Sequence, residues 1–336
     1  MSVWKVLLTL AIVVAVSPSA QAQDWPNRPV KIIVPFAPGG NADGMARIIG
    51  QRLGEVLGQN FVVENRTGAG GTIAVQDVAR SAPDGYTLLW GVQPQIVIIP
   101  AMQKVPYDPV KDLAPISVLA TNPFVLLVNG RLPVKTVGEF VTWAKAQPGK
   151  LSYGSSGIGS VAQLAMALFL KRAGLDMTPV HYRGNAPALA DVVAGHVLVM
   201  FSSLADALPQ AQGGHVRLLA ISGLKRTAQV PDVPTVDEAG YRGFNVITWN
   251  GLMAPAQTPK PIIDRIAAEV ARAVKDPAFA ERLTKFGVDP LGNSPEEFAK
   301  LIQQEIPVWI EAVEIAGVKT QYCRRGRCLY EQVSHQ

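Results

Sequence analysis

Along the first part of the chain, short apolar runs alternate with stretches in which apolar residues recur at helical spacing. PVKIIVPF, which begins at Pro29, is typical of a buried strand. The helical pattern that follows is marked by Met45, Ile48, Ile49, Leu53, Val56 and Leu57. Gly58 suits the position just past a helix, and Phe61–Glu64 and Tyr86–Gly91 are predicted as strands on either side of a short helix near residues 72–80. This alternation predicts parallel crossover units and a doubly wound α/β sheet.

The same alternation begins again near residue 124. The predicted strands of this middle part are FVLLVNG (124–130), LSYGSS (151–156), PVHY (179–182), VLVMFSS (197–203) and RLLAIS (217–222). Thr136 and Glu139 have the spacing of a capping box, for a helix that reaches Trp143. Further helices are predicted near residues 161–169, 186–194 and 206–212.

The last part of the chain is predicted to leave this middle unit. NVITWNGLMAP, from Asn245, has the pattern of a strand leading out of it. Thr258 and Pro259 fit the N-cap and first turn of a helix. SPEE, from Ser294, fits the start of a long final helix, which Pro307 should kink or break.

These patterns predict two α/β lobes, with the middle lobe inserted into the other. Residues 23–122 and 246–319 are assigned to the first lobe, because the C-terminal helices should return to it. Residues 123–245 are assigned to the second lobe, and residues 320–336 to an appended tail.

The N-terminus has the pattern of a secretory signal peptide. Lys5 precedes an apolar run from Val6 to Val16, and Ala20-Gln21-Ala22 places small residues two apart. Cleavage is expected after Ala22. The alternative is a membrane anchor, but the run is roughly half as long as the ~20 residues that a spanning helix needs. The mature protein is therefore expected to be soluble and exported.

Composition excludes several classes of protein. Hydrophobic residues make up 48% of the 336 residues and charged residues 17%, which allows a large core and argues against a disordered chain. The net charge of +5 comes from scattered basic residues without interleaved aromatics, so nucleic-acid binding is not expected. Cys323 and Cys328, the only cysteines, could form a disulfide in an exported protein, but they lack nearby partners for a metal site.

Six predicted loops follow the carboxyl ends of strands, where open α/β sheets bind ligands. They are APGGNAD (37–43), NRTGAGG (65–71), GVQPQ (91–95), GSSGIGS (154–160), YRGN (182–185) and SSLAD (202–206). Four of them are rich in Gly, Ser or Asn. Exposed N–H groups at helix N-termini, together with the helix dipole, favour anions by ~0.3–1 kcal/mol. Anion binding is therefore predicted on both lobes.

Enzyme motifs are incomplete in these loops. None has the Gly-Lys-Ser/Thr of a phosphate-binding loop, and Ala162 replaces the last glycine of a dinucleotide motif. Around Ser156 the hydrolase pattern G-x-S-x-G lacks its final glycine, and no histidine has metal-ligand spacing. His181 could reach a cleft, although a core or rim role is commoner. Asp206 is interpreted as a helix cap, while for Asp43 a cap and a ligand contact remain open. No catalytic set, metal or cofactor is predicted.

The order of the motifs resembles one known family. From about Trp25 to Lys319 they are PVKIIVPFAPGGNAD, GQNFVVENRTGAGG, PDGYTLLWG, YDPVKDLAPISVLA, PGKLSYGSSGIGS, GHVLVMF, PDVPTVDEAG and LMAPAQTPKPIIDRI. They closely resemble the Bug family, the extracytoplasmic solute receptors of tripartite tricarboxylate transporters. The resemblance implies a type II periplasmic binding protein fold, in which two doubly wound lobes surround a ligand cleft. It also implies a small carboxylate ligand, such as a di- or tricarboxylate or an aromatic acid.

The resemblance also assigns roles to residues. The loop from Pro38 to Asp43 is expected to line one wall of the cleft. Our own hypothesis adds that Asn41 to Asp43 contact the far end of the ligand, partly through water. The loop from Ser155 to Ser160 is expected to grip the carboxylate. Gln163 and the pair Ser202-Ser203 differ from the residues that are commoner in the family at these positions. The contacts to the far end of the ligand are therefore expected to differ from those of other members, whereas the contacts to its carboxylate are not. The predicted ligand-binding residues are Phe36, Ala37, Pro38, Gly39, Gly40, Asn41, Asp43, Gly91, Gln93, Ser155, Ser156, Gly157, Gly159, Ser160, Ser202, Ser203 and Trp249.

The function expected from this resemblance is that of a receptor. The protein should be a periplasmic, monomeric, non-enzymatic protein that delivers its ligand to the membrane permease subunits of a tripartite transporter. Two alternatives remain open: a ligand sensor that contacts a signalling kinase, and a secreted serine hydrolase that uses Ser156.

Overall fold

The structure is a computed structural model that describes residues 25–318. The predicted signal peptide (1–22), the appended tail (320–336) and the cysteines Cys323 and Cys328 lie outside the described residues. Within residues 25–318, no helix is long and apolar enough to cross a membrane.

The described residues form ten strands and ten α-helices. The strands are β1 (Val30–Val34), β2 (Phe61–Asn65), β3 (Thr87–Val92), β4 (Leu113–Asn129), β5 (Ser152–Ser155), β6 (Thr178–His181), β7 (Val199–Ser203), β8 (Val216–Ile221), β9 (Ile247–Pro255) and β10 (Asp289–Pro290). The α-helices are α1 (Asn41–Leu57), α2 (Thr72–Ala79), α3 (Ile99–Met102), α4 (Val137–Lys145), α5 (Val161–Ala173), α6 (Asn185–Ala194), α7 (Leu204–Gln212), α8 (Lys260–Ala273), α9 (Pro277–Thr284) and α10 (Pro295–Ile315). A short 3₁₀ turn (Ala69–Gly71) precedes α2, and a π-helix (Pro94–Ile98) precedes α3.

Helix α1 ends where the sequence predicted. Met45, Ile49 and Leu53 are buried on one face, because they recur at helical spacing. Gly58 follows with a φ of 74° and donates its N–H to the Gly54 carbonyl at 3.0 Å. Glycine adopts this left-handed conformation without the steric cost of a Cβ, which is why the residue type marks the end of the helix.

All ten strands belong to one mixed sheet, in the order β2-β1-β3-β9-β4-β7-β5-β6, with β8 and β10 also paired to β4. Strand β1 is parallel to β2 and β3, and β5 is parallel to β6 and β7. The predicted parallel units are therefore confirmed on both sides. In the centre, β4 and β9 run antiparallel to each other. We call the part built on β1–β3 the first lobe and the part built on β5–β8 the second lobe.

Strand β4 is longer than predicted, and it connects the two lobes. It begins at Leu113 rather than Phe124, and its first part pairs with β9 while its last part pairs with β7 and β8. The prediction missed the first part because Pro115 and Pro123 argue against a strand in the middle of a sheet. Irregular register after Pro115 accommodates the first of these prolines.

The final helix, α10, begins at the predicted capping box. Ser294 Oγ accepts the Glu297 N–H at 3.1 Å, and Glu297 Oε2 accepts the Ser294 N–H at 2.9 Å. Pro307 lies inside α10, yet the helix continues to Ile315, so the predicted break is wrong, while the alternative, a kink, stays a prediction. Buried residues on both sides of Pro307, such as Trp309, hold the helix against the core despite the missing hydrogen bond.

One further expectation for the C-terminal part needs correction. Pro259 rather than Thr258 is the N-cap of α8, because the Thr258 hydroxyl instead donates to the Pro255 carbonyl at 2.7 Å. The return of the C-terminal helices to the first lobe stays a prediction. Helix α10 also contacts the second lobe. Its Glu311 forms an ion pair with Lys171 of α5, in the second lobe, at 2.9 Å.

Candidate ligand-binding site

The loop that follows β1 is held in place by the side chain of Asp43. Asp43 Oδ2 accepts hydrogen bonds from the Gly39 N–H and from Arg47 Nε, both at 3.0 Å, and Oδ1 accepts one from Asn65 Nδ2 at 2.9 Å. Asp43 is only 3% exposed, whereas the loop residues Phe36 to Asn41 are exposed. The buried Asp43 carboxylate therefore holds the backbone of the loop in place, while the loop itself remains accessible to solvent.

Asp43 is not the cap of α1. Gly40 occupies the N-cap position and makes no side-chain hydrogen bond, while Asp43 lies in the first turn. The cap interpretation is therefore wrong, since the carboxylate reaches back to the Gly39 N–H ahead of the helix. A ligand contact stays a prediction, although both carboxylate oxygens already have protein donors.

Acid should weaken the fold through Asp43. The hydrogen bond from Arg47, followed by those from Gly39 and Asn65, lowers the pKa of Asp43 from 3.8 to about 2. A carboxyl group with a lowered folded-state pKa stabilises the fold above its unfolded pKa, and this contribution is lost as the pH falls from 3.8 towards 2. Asp43→Ala is expected to lower the free energy of unfolding at pH 7 by about 2 kcal/mol and to flatten this acid dependence in urea unfolding curves.

An exposed ion pair nearby provides the control for this prediction. Asp77 pairs with Arg66 at 2.8 Å, and its side chain is 40% exposed. Asp77→Ala should therefore lower the free energy of unfolding by less than ~1 kcal/mol. If both variants lost the same free energy of unfolding, the buried hydrogen bonds of Asp43 would stabilise the fold no more than an exposed ion pair does.

The loop after β5 is organised around Ser155. This side chain is fully buried, and its Oγ donates to the Gly157 carbonyl at 2.9 Å and accepts the Gly157 N–H at 3.2 Å. His181 Nδ1 lies 3.1 Å from the same Oγ. Gly157 and Gly159 have φ values of 132° and 74°, so the path of this loop requires glycine at both positions.

Helix α5 presents its N-terminus at the end of this loop. Ser160 is its N-cap, and Ser160 Oγ accepts the Gln163 N–H at 3.3 Å. Gln163 Oε1 in turn accepts the Gly159 N–H at 2.7 Å. The N–H groups of Val161 and Ala162 have no acceptor inside the helix, because the first turn of any helix leaves them without one. With the helix dipole, they make this end of α5 suitable for an anion.

The free N–H groups at this helix N-terminus suit the binding of an anion. Ser156 is partly exposed, but no histidine is hydrogen-bonded to it among the described residues. Ser155, which does lie beside a histidine, is fully buried, and its hydroxyl is also hydrogen-bonded to Gly157. Within residues 25–318, no group of three or more His, Cys, Asp or Glu side chains could hold a metal ion.

The serines at the end of β7 lead into helix α7. Ser203 is the N-cap: its Oγ accepts the Asp206 N–H at 3.3 Å and donates to Asp206 Oδ2 at 2.8 Å. Asn185 Nδ2 donates to Ser202 Oγ at 2.9 Å and to Asp206 Oδ2 at 2.7 Å. The interpretation of Asp206 as the cap is therefore wrong, because it lies within the first turn and supports the cap. Ser202 and Ser203 stay predicted contacts whose hydroxyls already have protein partners.

Gly91, Gln93 and Trp249 are buried. Trp249 Nε1 and Gln93 Nε2 both donate to Glu305 Oε2, at 3.0 Å and 3.2 Å. A Cβ on Gly91 would lie 3.0 Å from Met253 Sδ, so glycine allows β3 and β9 to pack closely here. Burial raises the pKa of Glu305 to about 7, while the hydrogen bonds from Trp249 and Gln93 act in the opposite direction.

The segment after β3 connects loops of the two lobes. Gln95 Nε2 donates to the Gly70 carbonyl at 2.8 Å, in the loop after β2. Farther along, Met102 packs so closely on Gly159 that a Cβ there would overlap the methionine sulfur. The structure therefore brings the GVQPQ, NRTGAGG and GSSGIGS loops together along residues 91–102.

Asn41, in the first predicted wall, lies close to the second lobe. It lines a groove of about 310 Å³ together with Ala205 and Leu208 of α7 and with Phe286 and Gly287 after α9. The loop after β1 and the start of α7 therefore face each other across this groove.

Comparison with known proteins identifies the family. A model described as the tripartite tricarboxylate transporter family receptor matches residues 45–317. The chain belongs to this family. The resemblance of its motifs to the Bug family is thereby confirmed, since Bug proteins are receptors of this kind.

Three solved structures are similar to this receptor over most of its length. The periplasmic binding protein BugD is 35% identical, with 88% of this chain and 100% of BugD covered, at a TM-score of 0.67. Rpa4515 from R. palustris, solved with adipate, is 35% identical, with coverage of 87% and 98% and a TM-score of 0.71. MatC from Rhodopseudomonas palustris, with bound malate, is 37% identical, with coverage of 86% and 100% and a TM-score of 0.66. The receptor has the predicted type II periplasmic binding protein fold, with two doubly wound lobes around a ligand cleft.

Two buried polar side chains of this receptor were not singled out by the sequence. Glu305 follows two glutamines, and such a polar run usually faces solvent. However, Glu305 lies three residues after the buried Ile302 and four before the buried Trp309, which places it on the apolar face of α10. That spacing was the available signal. Gln95 offers no such signal, because it lies in a short π-helix that hydrophobic periodicity does not predict.

Proposed function

We propose that this receptor captures a small carboxylate between its lobes and delivers it to the membrane permease subunits of a tripartite transporter. The adipate and malate held by the two R. palustris relatives support this ligand class. The proposal includes export to the periplasm with cleavage after Ala22, a monomeric state and no catalytic activity of its own.

One observation carries the ligand class: the N-terminus of α5 has no acidic side chain in its first turn. Helices α2 and α6 share this feature, whereas α1 and α7 carry Asp43 and Asp206 in the first turn. Among the three, α5 follows the loop to which the resemblance assigns the carboxylate. The ligand's carboxylate takes the corresponding role at α5, where the Val161 and Ala162 N–H groups and the Ser156 hydroxyl are available to it.

Closure of the lobes supplies the opposite wall of the site. We assign residues 23–122 and 246–319 to one moving body and residues 123–245 to the other, with Phe36 to Asn41 facing the ligand's far end. Strands β4 and β9 form the hinge, because they pair with each other, β9 also pairs with β3 of the first lobe, and β4 also pairs with β7 and β8 of the second lobe. Closing two lobes around a ligand is a known hinge motion of periplasmic binding proteins.

A thermal-shift screen tests the ligand class. The panel contains di- and tricarboxylates, aromatic acids and amino acids, each beside its neutral amide or methyl ester. A carboxylate present at about 100 times its Kd should raise the free energy of unfolding by about 2.7 kcal/mol, whereas its neutral counterpart should leave the melting temperature unchanged. Shifts produced by neutral compounds alone would refute a carboxylate ligand.

A further inference from the structure

The side chain of Gln95 carries an unpaired hydrogen-bond acceptor. Gln95 is 4% exposed, and its Nε2 donates to the Gly70 carbonyl at 2.8 Å. Its Oε1 is buried and has no hydrogen-bond donor among residues 25–318. Reversing the amide would set the oxygen against the Gly70 carbonyl, so this orientation is fixed by the backbone. The amide oxygen is therefore an acceptor that the described part of the protein leaves without a donor.

Gln95 lies where three loops of the first lobe meet. Gly70 and Gly71 belong to the loop after β2, Pro35 follows β1, and Gln95 itself follows β3. A Cβ on Gly71 would lie 2.9 Å from Pro35 Cβ and 3.0 Å from Gln95 Cγ, so these three residues are in contact. Strands β2, β1 and β3 are parallel neighbours, and their carboxyl ends form the edge at which α/β sheets bind ligands.

The same segment reaches the proposed carboxylate loop of the second lobe. Gln95 is part of the π-helix Pro94–Ile98, and α3 follows directly, with Met102 packed on Gly159. Single-turn π-helices are rare and recur at functional sites. Gln95 therefore lies on the same first-lobe segment, residues 94–102, that contacts the proposed carboxylate-binding loop (154–160).

We propose that Gln95 selects among carboxylates by accepting a hydrogen bond from a hydroxyl or ammonium group of the ligand. An ionised dicarboxylate has only acceptors and cannot satisfy Gln95 Oε1, whereas a hydroxy- or amino-substituted carboxylate can. Because a buried acceptor is unfavourable when it is left unpaired, the donor-bearing ligand should bind about tenfold or more tightly. This inference rests on the proposed function, because it requires a carboxylate in the cleft.

Matched pairs of ligands test the role of Gln95. Malate and aspartate are each compared with succinate, and 4-hydroxybenzoate with benzoate, by calorimetric titration of the full mature chain. In the pair that the wild-type protein binds best, the ligand with the hydroxyl or ammonium group should bind about tenfold or more tightly than the ligand without it. Gln95→Met removes the amide at nearly the same length, and this ratio should then fall to about one.

The ratio separates ligand selection from a structural role. If Gln95 only supported the Gly70 loop, Gln95→Met would weaken both members alike and leave the ratio unchanged, which would overturn the inference. Gln163→Met is the control: it removes a buried amide that accepts the Gly159 N–H, so it should weaken both members equally. Equal affinities in wild-type protein overturn the inference without any variant. Failure of every carboxylate to bind refutes the proposed function itself.

Discussion

Glu305→Ala is expected to lower the free energy of unfolding by about 3–5 kcal/mol. Glu305 Oε2 accepts hydrogen bonds from Trp249 Nε1 at 3.0 Å and from Gln93 Nε2 at 3.2 Å, and all three side chains are buried. Truncation leaves both donors without this acceptor. It also opens a cavity beside Trp249, whose ring packs edge-on against Phe298 at 4.8 Å. Urea unfolding followed by tryptophan fluorescence measures the loss.

An exposed acid on the same helix provides the control. Glu311 pairs with Lys171 at 2.9 Å, and its side chain is 48% exposed. Glu311→Ala should lower the free energy of unfolding by less than ~1 kcal/mol. If Glu305→Ala had no larger effect, the buried cluster would not stabilise the junction between α10, β9 and the end of β3.

Ionisation of Glu305 should weaken the fold as the pH rises. Its pKa is raised by burial from 4.5 to about 7. The contribution of the neutral acid is therefore fully present below 4.5 and is lost as the pH rises through about 7. Glu305→Gln keeps the shape and cannot ionise, so its stability should change less than that of the wild type between about pH 5 and 8. Parallel stability curves for the two proteins would contradict this.

Ser156→Asp is expected to weaken carboxylate binding by about 100-fold or more, and Ser156→Asn by about tenfold or less. The two new side chains have nearly the same size and shape. Only aspartate brings a negative charge to the N-terminus of α5, where the Val161 and Ala162 N–H groups would otherwise receive the ligand's carboxylate. Calorimetric titration with the tightest carboxylate of the thermal-shift screen measures both affinities.

The fold should tolerate both Ser156 substitutions. No described hydrogen bond uses the Ser156 hydroxyl, and an aspartate near a helix N-terminus interacts favourably with the helix dipole. The melting temperature without ligand should therefore stay close to that of the wild type. Equal losses of affinity in the two variants would mean that charge does not control binding at this loop.

Elements with strong local signals could be predicted from the sequence. Gly58 ends α1 and Ser294 begins α10, because a left-handed glycine and a capping box depend on residues within one turn. The first part of β4 could not be predicted in this way. Its prolines argue against a strand, and only the pairing of Leu113–Pro123 with β9 shows that it is one.

By itself, the sequence determined the alternation of strands and helices, the loops suited to anions and the family to which the chain belongs. These rest on periodicity, residue type and motif order, which are local or additive along the chain. The tertiary structure alone decided which polar side chains turn inward. Asp43 supports its own loop, and Glu305 accepts a hydrogen bond from Gln93, far away along the chain. Gln95 keeps an acceptor that no donor among residues 25–318 satisfies. The physical reason is that burial and hydrogen bonding of a polar group depend on partners that the fold brings together from distant parts of the chain. Hydrophobic periodicity does not predict these partners.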